Sequence, residues 1–152
     1  MDPRAMLGFG LTAAHSRVLR SLHDVTEEEA RQMPHGLTPI IWQAGHIALT
    51  DIRCVRRAGR TADVPTGYSE LFPPGSGGPA AYPPVAEVVE VLQQAQQQLL
   101  EIARSAELQA PVESHNYGTV GEMLVFTIYH RGYHVGKMST LRALLGRPRP
   151  FG

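Results

Sequence analysis

The chain has 152 residues, enough to bury one hydrophobic core without disulfide or metal staples, so a single domain is the expectation. Its 14 Lys and Arg balance 14 Asp and Glu, which leaves no basic excess for nucleic acid and no charged tail. No apolar run is long enough to cross a bilayer, and nothing near the N-terminus reads as a secretory signal.

A single cysteine, Cys54, excludes an intramolecular disulfide and fits a reducing cytoplasm. Counted from Gly45, it lies roughly 180° around its predicted helix, which places it as an inert thiol on the outer face.

The pattern is that of an all-α protein with four main helices. Helix one opens with Asp2 as N-cap and Pro3 in the first turn, carries the stripe Leu7, Leu11, Ala14, Val18 and Leu22, and ends near Asp24. Thr26 and Glu29 have capping-box spacing and start a short helix that stops before Pro34. Thr38 and Pro39 are the cap and first-turn pair of helix two. It runs to about Arg57, where Gly59 ends it, and buries Ile41, Gly45, Ala48, Ile52 and Val55, with Trp42 and Leu49 beside them. Arg53, Arg56, Arg57 and Arg60 cluster near its end and read as a solvated helix terminus whose cations suit the dipole.

Residues 60–82 are rich in Pro and Gly and read as a long loop. About ten extended residues can traverse a bundle roughly 30 Å long, so this loop can return the chain to the other end and make helices two and three parallel. Pro83 and Pro84 introduce helix three, with Val85, Val88, Leu92, Leu99, Ile102 and Ala106 on its buried side. Thr119 and Glu122 repeat the capping-box spacing and open helix four, which runs to Leu145 before Gly146 and Pro148 stop it.

Helix four carries the stripe Met123, Thr127, His130, His134, Met138, Leu141 and Leu145. His130 and His134 are one turn apart on one face. Two buried imidazoles on adjacent turns need partners for four ring nitrogens, which a metal ion supplies, or tyrosine and backbone groups supply instead. His46, one turn after Trp42 and at the margin of helix two's apolar face, completes a candidate three-histidine site across two helices. Zinc or nickel suits neutral imidazole, and three protein ligands leave a position open for water or substrate. His15 reads as a satisfied core-edge histidine, and His23, His35 and His115 as exposed or locally bonded. A fourth ligand from His15 or His115 would close the sphere and favour a structural site. His-Glu-x-x-His, Glu-x-x-His, G-x-S-x-G and phosphate-loop patterns are absent.

Two stretches resemble the DinB/YfiT-like superfamily of four-helix metalloproteins. One is Ile40 to Ala48, similar to the family's tryptophan-x-x-glycine-histidine segment. The other runs from Gly118 to Gly146 and contains the His-x-x-x-His pair, with Lys137 where the family often has glutamine. The resemblance implies an up-down-down-up bundle and a divalent metal held by His46, His130 and His134. It also implies a homodimer. Related proteins transfer low-molecular-weight thiols such as bacillithiol or mycothiol onto electrophiles, isomerise maleylpyruvate, or form a domain of ergothioneine-pathway enzymes.

The expectation is therefore a cytoplasmic, metal-dependent enzyme acting on a small molecule, an S-transferase first and a hydrolase next. Trp42 would be an apolar wall and Arg53 a receiver for an anionic group. A non-catalytic metal- or small-ligand-binding module of a stress response is the alternative.

Overall fold

The structure, a computed structural model, describes residues 2–150. Among them are four long helices: α1 (Pro3–Leu22), α3 (Ile40–Arg57), α5 (Val85–Ser105) and α6 (Val120–Leu144). Two short ones, α2 (Glu27–Arg31) and α4 (Tyr68–Leu71), lie in the connections, with a 3-10 turn at Pro34–Gly36. No helix is long and apolar enough to cross a membrane among the described residues.

The helix starts follow from local chemistry. The Asp2 carboxylate accepts from the Ala5 amide at 3.1 Å. Thr26 with Glu29 and Thr119 with Glu122 each form a full capping box. α3 begins differently from expectation. Pro39 is its N-cap, Thr38 supplies no side-chain cap, and the first helical residue is Ile40. Pro39 is extended (φ −70°, ψ 162°), so the turn begins only after it. Gly59 closes α3 at φ 78°, a conformation that costs other residues a steric penalty.

α1 packs against α5 and α6, and α3 packs against the same two, so the order around the bundle is α1, α5, α3, α6. Arg60 donates to Ser105 Oγ at 3.1 Å, bringing the ends of α3 and α5 together as parallel neighbours. Arg4 donates to the Ala103 carbonyl at 3.2 Å, which sets the start of α1 on the end of α5. Arg142 donates to the Ser21 carbonyl at 3.2 Å and pairs with Asp24, which joins the C-terminal ends of α1 and α6.

The core has two apolar clusters. One gathers Val18, Ile41, Trp42, Leu49, Phe72 and Leu92, and the other Leu11, Val55, Leu99, Ile102, Met123 and Leu124. A buried polar group ties all four long helices together. The fully buried Arg131 of α6 donates to Asp51 Oδ2 of α3 at 3.1 and 2.8 Å, to Gln96 Oε1 of α5 at 2.6 Å and to the Leu11 carbonyl of α1 at 3.1 Å. Nothing in the apolar periodicity marks this network, since Arg131 sits between two more conspicuous histidines.

Cys54 corrects the sequence expectation. It is fully buried rather than on an outer face, with Sγ 3.6 Å from the Tyr117 hydroxyl. The single-face count fails because α3 is covered nearly all round, and the connection before α6 brings Tyr117 over its far side. Burial pushes the thiol above its ordinary pKa, so it is a poor nucleophile.

Candidate metal centre

α3 and α6 are neighbours, and His46 from one meets His130 and His134 from the other. One ring nitrogen of each lies within 4.8 Å of the others. His46 and His134 are buried, and His130 is half-buried. The Nε2 atoms of His130 and His134 are 3.2 Å apart. Two nitrogens on one tetrahedral zinc ion, each at about 2.0–2.1 Å, would be separated by about 3.3 Å.

The other ring nitrogens set the tautomers. His46 Nδ1–H donates to the Phe72 carbonyl at 3.0 Å, and His134 Nδ1–H donates to Gln43 Oε1 at 2.6 Å. The Gln43 amide nitrogen donates to the Thr38 carbonyl at 3.4 Å, which orients its oxygen towards the histidine. With Nδ1 protonated, the lone pair lies on Nε2, the arrangement in which outer partners orient metal-binding imidazoles. His130 Nδ1 is buried with no hydrogen-bond partner. Its ring stacks on Phe126 at 5.6 Å.

Electrostatics keep the three rings neutral. Burial, reinforced by His130, His46 and Lys137, lowers His134 to about 3. Burial, then His46 and Arg131, lowers His130 to about 4. His46 is also lowered, by burial first; its bond to the Phe72 carbonyl opposes this, and the charges of Arg53 and Lys137 add to it. Neutral imidazole is the ligating form.

These residues fit a borderline divalent cation in donor type, protonation and spacing. No fourth His, Cys, Asp or Glu joins the group among the described residues. His115 is exposed. His15 lies at the core edge and outside the group, with its Nδ1 buried and without a hydrogen-bond partner. Three protein donors leave at least one coordination position for another ligand.

Trp42 stacks on His46 with centroids 4.7 Å apart and planes 7° from parallel. It is 1% exposed, so it packs the imidazole rather than presenting a wide wall to solvent. Arg53 is half-buried, and its charge reaches His46. A cavity of about 1050 Å³ lies nearby, bounded by Met6, Tyr117, Val125, Phe126 and Tyr129 and by none of the three histidines. Phe126 lines it and also stacks on His130.

Sequence reasoning missed Gln43 and the Phe72 carbonyl. Gln43 had a readable signal, a buried amide one turn before His46 in an apolar helix start. Gln43→Leu is expected to weaken zinc binding about 10–100-fold in a chelator competition, since His134 loses its orienting partner. An unchanged affinity would show that Gln43 does not orient the ligand.

The metal-free protein should also respond to acid. His15 and His130 are lowered to about 4 and His134 to about 3. Below about pH 6.5 the unfolded chain takes up protons that the folded one refuses, so stability is lost as pH falls towards 4. The melting temperature without metal should decline over that window. A flat profile would contradict neutral burial.

An all-helical bundle with an imidazole trio between its second and fourth long helices defines a class of helical proteins. A model of the DinB superfamily matches residues 11–138, and the chain belongs to that superfamily. A search of curated proteins returns no match.

Proposed function

We propose that this chain is a divalent-metal-dependent enzyme that joins a low-molecular-weight thiol to a small electrophile, with His46, His130 and His134 as ligands to zinc or nickel. The single observation that carries this reading is the convergence of three neutral imidazoles with no fourth side-chain ligand among the described residues. A bound cation of this kind lowers the pKa of a coordinated thiol or water.

The chain's own groups have distinct parts in this reading. The Phe72 carbonyl and Gln43 hold the imidazole protons on Nδ1. Trp42 fixes the plane of His46. Arg53 and Lys137 give the site positive surroundings, which favour an anionic cosubstrate or electrophile. The only protein thiol, Cys54, is buried and protonated, so the sulfur nucleophile would come from a cosubstrate.

Purified protein loaded with zinc or nickel should conjugate small thiols to model electrophiles, and His130→Ala should abolish it. Activity unchanged in His130→Ala would overturn the assignment. The same reading takes the protein as a cytoplasmic homodimer. The exposed Met6 and Phe9 of α1 and Val125, Tyr129 and Tyr133 of the adjacent α6 support a second copy, and sedimentation measures it directly.

A further inference from the structure

The crossover between α3 and α5 touches the candidate metal centre at two points. Phe72, fully buried, offers its carbonyl to His46 Nδ1 at 3.0 Å. Its ring lies where Gly45 has no side chain, and a Cβ on Gly45 would overlap that ring. Tyr82 stacks on the ring at 5.6 Å, and Tyr68 meets it edge-on at 4.9 Å. Further along, Gly77 sits against the Trp42 indole so closely that a Cβ there would overlap it too. The Tyr82 hydroxyl donates to the Gly78 carbonyl at 2.6 Å and pins this second half.

His46 is therefore held along its edge by Phe72 and across its face by Trp42, which Gly77 covers. His134 takes its orienting bond from Gln43 of α3, and His130 has no partner for Nδ1. Only His46 relies on the crossover for that bond.

We propose that the 64–82 crossover is the outer support of the metal centre, with Phe72 as the positioning residue, so that cation binding and crossover docking stabilise each other. The inference rests on the metal-binding reading above. Fixing the His46 ring favours the docked carbonyl, and the docked carbonyl favours the ligating tautomer. Linkage makes the two effects equal in size. Gly45 is the permissive residue, because only a residue without a side chain leaves room for the Phe72 ring one position before the ligand.

The test uses the whole chain and zinc alone as the probe. Zinc affinity is measured by chelator competition in the wild type, Gly45→Ala, Phe72→Ala, the double variant and Gly8→Ala. A Cβ on Gly8 would meet nothing within 4 Å, so this control shares the helix-propensity gain of Gly45→Ala without the overlap. Gly45→Ala and Phe72→Ala should each weaken zinc about 10–100-fold, and Gly8→Ala should not. In the double variant the new methyl meets no ring, so the combined loss should be smaller than the product of the single losses.

Amide exchange on the wild type is independent of any variant's folding. Zinc should slow exchange across 64–82. Zinc binding that leaves exchange in 64–82 unchanged, or that is equally tight in a folded Gly45→Ala, overturns the coupling while sparing the metal site. A wild type that binds no zinc overturns both.

Discussion

Replacing Arg131 with methionine is expected to cost about 3–5 kcal/mol of folding stability, read from the midpoint of urea unfolding. The guanidinium is fully buried and supplies donors to Asp51, Gln96 and the Leu11 carbonyl. Methionine fills a similar volume but leaves those acceptors facing an apolar group. Asp51 suffers most, because burial already raises its pKa, Arg131 opposes that rise, and its Oδ1 has no hydrogen-bond partner. Removing both charges should be far milder. An Arg131→Met, Asp51→Leu, Gln96→Leu variant should recover most of the loss, since a well-packed apolar replacement escapes the desolvation of the pair. A loss below about 1 kcal/mol in the single variant would mean that the network contributes little.

Untagged protein should carry about one zinc or nickel ion per chain by elemental analysis, and the His46→Ala, His130→Ala, His134→Ala triple variant should carry none. Each single substitution removes a direct ligand, so its effect should exceed the roughly 10–100-fold expected for an outer partner such as Gln43. Thermal unfolding gives an independent readout. Free zinc at about a thousand times its dissociation constant would add about 4 kcal/mol to the wild type and nothing to the triple variant. Equal metal content in the two proteins would locate the cation elsewhere and remove the basis of the proposed chemistry.

Much of the bundle was legible in the sequence because its signals are local. The Thr26/Glu29 and Thr119/Glu122 pairs are both capping boxes, and the predicted stripes on all four helices lie largely inside. The His130/His134 pair was legible for the same reason, a spacing of one helical turn. His46 stood only at the margin of an apolar face and joined the pair through the resemblance of its Trp42–His46 segment, and the three do converge. What stayed hidden depends on contacts between distant segments. Cys54 is buried by Tyr117, 63 residues away. The Asp51–Arg131 pair spans 80 positions, and the Phe72 carbonyl reaches His46 across 26. A backbone acceptor has no signature in composition, so no reading of side chains could have assigned that bond. The start of α3 was displaced by one residue because Thr38 has cap chemistry but not cap geometry.

Parallel neighbours cannot be joined by a tight turn, so the segment linking α3 to α5 has to travel back along the bundle. On the way it passes the same helix that offers Trp42 and His46. Between Pro73 and Ala81 its length is therefore constrained at both ends, because Phe72 and Tyr82 belong to the core and Gly77 rests on Trp42 in between. One strap thus couples the length of a connection to the seating of an aromatic pair beside three imidazoles.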